Sequence, residues 1–332
     1  MSTVSQNSLT SFHRSLRRWY DTHGRKDLPW RNVSDPYPIY ISEIMLQQTQ
    51  VATVLERFYF QFLKRFPTLT SLAKADRDDV LKAWQGLGYY QRARNLHEAA
   101  KRSGGSLPDT IEGLINLPGI GKNTAHAVAA FAFGKKTAVM EANVKRVLCR
   151  IFALARPSEA ELWEKATLLL DKRHSFDYNQ AMMDIGATIC TKRAPKCSQC
   201  PASKICKGKD SPESYPTAIA RKIPPVRKKH IILPHSKGKY FATPRSGRFL
   251  HGLYHFIESD STAKSVSFQK HSYALAKTKK LGDIRQQYSH FTLEASVHIV
   301  DIADAKGNEW YSRTQLERLP MSMAERKILA LL

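Results

Sequence analysis

Apolar residues recur at helical spacing through most of the first 190 positions, then give way to short strand-like runs. Leu9, Phe12, Leu16, Trp19 and Tyr20 form a stripe that predicts a helix ending near Gly24. Leu28-Pro29-Trp30-Arg31 interrupts it: proline stops helix and leaves an aromatic ring and a cation in a loop. Periodicity resumes around Pro38, with Ile41, Ile44 and Met45 on one face and Glu43 and Gln47 on another. Val51, Val54, Leu55, Phe58 and Phe62 make the next buried stripe, and a short helix over 79–84 leads into Gly86-Leu87-Gly88-Tyr89-Tyr90. Arg92, Arg94 and Lys101 follow on a further helix. Ala125, Val128 and Ala129 open another, and Glu141 and Asn143 are expected on a short connection just before Val144. Ser158 and Glu161 read as a capping box that starts a helix reaching Leu170, and one more helix covers about 177–189.

Past Gly208 the pattern changes. Prolines 212, 216, 224 and 225 alternate with Arg221, Lys222, Arg227, Lys228 and Lys229, which reads as a basic linker over 209–229. Strand-like runs follow at 230–233, 239–243, 253–257 and 293–300, and a helix closes the chain from Met323. The expected architecture is a mainly α amino-terminal domain over 1–208 and a mixed α+β domain over 230–332.

Composition narrows the partners. The 332 residues suffice for about two domains, and 52 Lys and Arg against 29 acids give a net charge of +23 that is spread along the chain. Such a surface attracts polyanions, nucleic acid first. A membrane partner is not expected: no apolar run approaches the roughly 18 residues of a span, and residues 1–7 do not resemble a signal peptide. Of five cysteines, four crowd into Cys190-x6-Cys197-x2-Cys200-x5-Cys206. That spacing indicates a reduced compartment and a metal centre, either zinc or an iron–sulfur cluster. Cys149, beside Val147 and Leu148, reads as a buried apolar residue.

Three stretches carry candidate chemistry. Leu117-Pro118-Gly119-Ile120-Gly121-Lys122 forces a tight turn at a helix start, where bare N–H groups suit a phosphate oxygen. Glu43 is followed by the uncharged polar run Gln47, Gln48, Thr49 and Gln50, better suited to hydrogen bonding than to solubility. Gly86 to Tyr90 fits either a rigid wedge between bases or a helix stop with tyrosines packed in the core.

The segment Ile41-Ser42-Glu43-Ile44-Met45-Leu46-Gln47-Gln48-Thr49-Gln50-Val51 resembles the catalytic segment of the adenine-specific mismatch glycosylases, the MutY family of helix-hairpin-helix DNA glycosylases. Gly86 to Tyr90, Leu117 to Gly121, Asn143 to Leu148 and the cysteine spacing match the same family in order. The resemblance covers most of residues 8–208. Beyond 230 it rests on Gly252 to Phe256 and Tyr288-Ser289-His290-Phe291, similar to the family's Nudix-like domain that recognises 8-oxoguanine. The Gly-x5-Glu-x7-Arg-Glu box of Nudix hydrolases does not occur.

The resemblance implies a monomeric base-excision enzyme that flips adenine out of double-stranded DNA opposite 8-oxoguanine or guanine and hydrolyses its glycosidic bond. Glu43 would protonate adenine, and Glu141 with Asn143 would support the cationic sugar. Trp30, Arg31, Leu46 and Gln180 would bind the extruded base; Gln48 and Tyr89 would fill the gap; Thr49, Leu87 and Ser289 would read the opposite base. Leu117, Gly119, Gly121 and Lys122 would hold phosphates, and Cys190, Cys197, Cys200 and Cys206 a [4Fe–4S] cluster. A cytoplasmic enzyme is expected, nucleoid-associated if bacterial. Two positions depart from relatives. Glu141 stands where the family has Asp, and a misplacement of about 1 Å can cost about 10²-fold in rate. Asn123 stands where bifunctional relatives place a nucleophilic lysine, so a monofunctional glycosylase is expected. The competing readings are a thymine mismatch glycosylase on the same scaffold and a noncatalytic iron–sulfur DNA-binding protein.

Overall fold

The computed structural model describes residues 5–218, 223–268, 271–303 and 305–332. Arg221 and Lys222 of the expected linker lie outside the described residues, as do residues 1–4 of the amino-terminal segment. In chain order the helices are α1 (Gln6–His23), α2 (Pro36–Met45), α3 (Val51–Arg57), α4 (Tyr59–Arg65), α5 (Leu69–Lys74), α6 (Arg77–Ala83), α7 (Gln91–Arg102), α8 (Ile111–Ile115), α9 (Lys122–Phe133), α10 (Ala142–Ile151), α11 (Glu159–Leu169) and α12 (Ser175–Thr188). Strands β1 (Val226–Ser236), β2 (Lys239–Phe241), β3 (Thr243–Pro244), β4 (Tyr254–His255), β5 (Ile257–Asp260), β6 (Ser265–Phe268), β7 (His271–Ala274), β8 (Lys279–Gln287), β9 (Thr292–Asp301) and β10 (Trp310–Ser312) follow, then α13 (Arg313–Arg318) and α14 (Met323–Leu329).

Local chemistry sets the helix ends. The Ser5 hydroxyl accepts the Ser8 N–H to start α1, and Asp35 caps α2 with Pro36 at the first helical position. Phe58 leaves helical geometry and splits the apolar stripe of 51–62 into α3 and α4. Gly134, at φ 62°, closes α9 in the left-handed region. Ser158 caps α11 by accepting the Glu161 N–H at 3.1 Å.

The chain falls into two compact units. One comprises Met1–Val51, Thr68–Thr70 and Glu98–Ala220; the other comprises Ala52–Pro67, Ser71–His97 and Arg221–Leu332. In the first, α2 packs on α9, and α12 packs on both α1 and α10. Phe12, Leu16, Val147, Leu148, Met182 and Ile185 form its main core. Gly186 marks the closest approach, since a Cβ there would lie 2.5 Å from Asn143 Cβ. Only glycine lets α12 come this near to α10.

The second unit carries a mixed sheet of order β10-β2-β1-β9-β8, with β5 also paired to β1. β1 and β9 run parallel from Val226↔Thr292 to His235↔Asp301, and the other pairings are antiparallel. The strand begins at Val226, so Arg227, Lys228 and Lys229 belong to the sheet rather than to the linker. Their charged side chains hid the strand because its first residues face solvent. The β6–β7 hairpin, β8, β10 and α13 were likewise not legible: β8 reads Lys-Lys-Leu-Gly-Asp-Ile-Arg-Gln-Gln, with a register shift between Lys280 and Gly282. Ile231, Leu233, Phe256, Val297, Leu316 and Ile328 form one core of this unit. Among the described residues no helix is long and apolar enough to cross a membrane.

Candidate active site

A cavity of about 490 Å³ opens in the first unit, walled by the loop before α2, by α2 itself, by the starts of α9 and α10, and by α12. Its lining includes Trp30, Arg31, Glu43, Leu46, Gln48, Thr49, Glu141, Asn143 and Gln180, nine of the residues singled out from the sequence. Ile39, Phe131 and Met183 add an apolar surface. The volume is in the range of small-ligand pockets.

One wall is locked by Asp184, a fully buried carboxylate one helical turn beyond Gln180. Arg31 donates Nη1 to Asp184 Oδ2 at 2.7 Å and Nη2 to Oδ1 at 2.8 Å. Arg25 donates Nε to Oδ1 at 2.7 Å and its backbone N–H to Oδ2 at 2.9 Å. Burial alone would raise the Asp184 pKa, but the two arginines outweigh it and hold the carboxyl below its usual range. Asn179 fixes the same helix against the entering chain: its Oδ1 accepts the Val139 N–H and its Nδ2 donates to the Thr137 carbonyl. Gln180, 3% exposed, keeps its Oε1 without a hydrogen-bond partner among the described residues.

The cavity is also lined by two carboxylates with far fewer donors. Burial, then the neighbouring charge of Glu141, push Glu43 up to about 7, and Arg31 only partly opposes them. The short connection expected to carry Glu141 and Asn143 just before Val144 is already the start of α10. Glu141 is the N-cap of α10, where its Oε1 accepts the Val144 N–H at 3.2 Å and its Oε2 accepts Asn143 Nδ2 at 3.4 Å. Asn143 lies inside the first turn of that helix. Burial raises the Glu141 pKa, against the pull of the Asn143 and Val144 N–H groups. Arg146 Nη2 donates to Asn143 Oδ1 at 2.8 Å and to the Gly186 carbonyl at 2.5 Å, and its Nε donates to the Cys190 carbonyl at 2.8 Å. The cavity therefore offers an acid close to half-protonated at neutral pH beside a second, rigidly held carboxyl group.

Other expected residues lie elsewhere. Leu117 and Ile120 anchor the hairpin in the core, whereas Gly119, at φ 77°, and Gly121 leave bare exposed backbone before α9. The Lys122 ammonium stands 4.4 Å over the Trp163 ring. In the second unit Gly86, Gly88 and Tyr89 all take positive φ, and the paired tyrosines divide: Tyr90 is buried and Tyr89 is 44% exposed. Leu87 is 6% exposed, its side chain turned into the protein. Ser289 Oγ donates to the Tyr89 hydroxyl at 3.0 Å, which brings an expected gap-filling residue and an expected reading residue together.

The four clustered cysteines line a separate void with Arg150, Ile189, Pro195 and Pro212. Arg150 Nη1 points at Cys190 Sγ from 3.3 Å and the Cys206 thiol donates to the Arg150 carbonyl. Burial, with its thiol neighbours adding, pushes Cys200 up to about 12 and Cys206 up to about 11. Among the described residues no three such ligands converge on the position of a single ion.

Residues 41–171 match the HhH-GPD superfamily of base excision DNA repair proteins. The chain is 44% identical over 223 residues to a human adenine DNA glycosylase, covering 62% of this chain and 40% of that protein. It is 35% identical over 296 residues to an adenine DNA glycosylase of Buchnera aphidicola subsp. Baizongia pistaciae, covering 85% of this chain and 84% of that one. The chain belongs to the adenine DNA glycosylase family. Among solved structures, a thermostable thymine-DNA glycosylase matches this glycosylase with a TM-score of 0.56 at 34% identity, over 61% of this chain and 96% of that one. An endonuclease III–DNA complex matches with a TM-score of 0.54 at 20% identity, over 63% of this chain and 98% of that one, which speaks for the shared fold.

Sequence reasoning missed Arg25, Asp184 and Gly186. Asp184 had a signal: a lone carboxylate among apolar helix neighbours, at i+4 from Gln180. Gly186 had none, because its reason is a contact with Asn143 far along the chain.

Proposed function

We propose that this glycosylase removes adenine from double-stranded DNA where it stands opposite 8-oxoguanine or guanine, without cutting the strand. The observation that carries the reading is the Glu43 carboxyl, raised to about 7 in the same cavity as Glu141. Breaking the bond between sugar and base leaves electrons on adenine and positive charge on the sugar. Glu43 in its acid form donates a proton to adenine N7, and the bond's electron pair leaves with the base. Glu141, with Asn143 holding it, stabilises the oxocarbenium-like sugar. The buried Gln180 Oε1 suits the exocyclic amine of adenine, and Arg31, locked by Asp184, gives the base a rigid wall. Trp30 and Leu46 supply apolar contact. Asn123 carries no amine, so no Schiff base forms at that position.

The remaining assignments are extensions of this reading. Gln48 and Tyr89 fill the space left by the extruded base; Thr49, Leu87 and Ser289 read the opposite strand, with 1–208 as a glycosylase domain and 230–332 as a Nudix-like recognition domain. The parallel β1–β9 pair within a mixed sheet supports that view, and for Leu87 the reading needs its backbone or a local rearrangement. The hairpin 117–122 and the basic loop 190–207 hold phosphates, so affinity falls as salt rises. Cys190, Cys197, Cys200 and Cys206 line one void, and their family-like spacing assigns them to a [4Fe–4S] cluster. Such a cluster would brace the loop, its charge favouring the thiolate forms that burial opposes.

Single-turnover base release from duplexes with adenine opposite 8-oxoguanine, guanine and thymine tests the reading. Fast release opposite 8-oxoguanine, slower opposite guanine and slowest opposite thymine is expected. The likeness to a thymine-DNA glycosylase makes the alternative concrete: thymine released from opposite guanine, with adenine retained, would replace this assignment.

A further inference from the structure

Two amide oxygens lining the cavity are shielded from solvent and lack a hydrogen-bond partner: Gln180 Oε1 and Asn123 Oδ1. Buried polar atoms in folded proteins nearly always have partners, so each such atom calls for an explanation. Gln180 lies one turn before Asp184 and falls to the base-binding wall. Asn123 comes from another direction, as the second residue of α9, next to Thr124, whose hydroxyl accepts Gln47 Nε2 at 3.1 Å. Amide, acid and second carboxyl thus reach one cavity from α9, α2 and the cap of α10.

We propose that Asn123 is a further catalytic residue: its amide oxygen accepts a hydrogen bond from the water that attacks the sugar C1′. The proposal rests on the glycosylase reading above. As adenine departs, the C1′–N9 electron pair goes to the base and the Glu43 proton goes to N7, leaving Glu43 a carboxylate. A water oxygen then bonds to C1′. One of its hydrogens passes as a proton to Glu43, restoring the acid, and the other stays on the product hydroxyl. Throughout, that second hydrogen needs an acceptor if the water's lone pair is to face C1′. Of the two open amide oxygens, Gln180 Oε1 is taken by the base in this reading, and the carboxyl and amide oxygens around Glu43 already hold donors. Glu141 takes the Val144 N–H and the Asn143 amide, Asn143 Oδ1 takes Arg146, and Asp184 takes two arginines. Asn123 Oδ1 remains open. An amide can fill this place where a third carboxylate could not, because a further negative charge would drive Glu43 higher and weaken it as an acid.

The test replaces Asn123 by leucine, which keeps the branched shape and removes the acceptor. Three quantities are measured: binding to a duplex bearing 2′-fluoro-2′-deoxyadenosine opposite 8-oxoguanine, whose fluorine holds the glycosidic bond intact; single-turnover adenine release; and, in buffer containing methanol, the ratio of methyl glycoside to abasic sugar. Asn123→Leu should bind the uncleavable duplex as the parent does. It should release adenine roughly tenfold to a hundredfold more slowly, within the usual cost of losing one preorganised group. The product ratio should shift several-fold toward the methyl glycoside, because water loses its oriented site. An unchanged ratio, whatever the rate, overturns the proposal and leaves Asn123 a packing residue. So does a loss of binding as large as the loss of rate. If the parent itself releases no adenine from any duplex, the glycosylase reading fails and this proposal falls with it.

Discussion

Two carboxylates in one unit are treated in opposite ways. Asp184 is sealed from water yet held ionised, because Arg31 and Arg25 direct four donors at its two oxygens. Glu43, on the cavity wall, is pushed up to about 7, because burial, then Glu141, meet little compensation from Arg31. Depth alone therefore does not set the charge of a carboxyl group; the donors around it do. The first arrangement makes a fixed post, and the second leaves a carboxyl group able to hold a proton near neutral pH. The proposed protonation of a base on a rigid platform needs both.

The contrast can be broken from either side. Glu43→Gln removes the proton without removing the side chain, and single-turnover adenine release should fall by about 10³-fold. Asp184→Ala leaves two arginines facing an empty carboxylate site and should cost about 3–5 kcal/mol of folding stability in a urea titration. A loss under about 1 kcal/mol would mean that the buried pair is not the post described. Glu141→Gln keeps the helix cap but weakens the charge beside the sugar, for an expected loss of about 10²-fold in release with binding little altered. If that variant cleaves as fast as the parent, Glu141 is a cap and nothing more.

The smallest effect concerns pH. Glu43 is raised from 4.5 to about 7, so its acid form dominates below neutrality and is lost above it. Release should hold level below pH 7 and fall about tenfold per unit above it. Asp184→Asn leaves the Arg31 charge uncompensated near Glu43, which favours the carboxylate and should move the falling limb to lower pH. The same shift acts on stability with the matching sign. Folded Glu43 holds its proton more tightly than the unfolded chain does, so its contribution, complete below about 4.5, is lost as pH rises through about 7. Glu43→Gln should accordingly melt higher than the parent at pH 8 and at nearly the same temperature at pH 4.

Much of the site was legible because its residues are clustered along the chain or marked by local chemistry. The run from Ile41 to Val51, the glycine turn at Gly119 and Gly121, and the four cysteines are each local signals. Helix periodicity located the elements that carry them, since an apolar face is a property of neighbours three and four residues apart. The carboxy-terminal sheet was harder to read. β8 has little alternation, and β1 begins with a charged run that only pairing with β9 turns into strand.

The order of the chain by itself determined most of the longer helices, the turn at Gly119 and Gly121, the segment that carries Glu43 and the cysteine loop, because spacing and residue type suffice for these. Only the folded structure decided that Arg31 is pinned by an acid 153 residues away, that Glu141 spends one oxygen on a helix cap, and that Gly186 exists to admit Asn143. Those facts are contacts between distant segments. A protonation state depends on every charge and donor within a few ångströms, and the list of such neighbours exists only after folding.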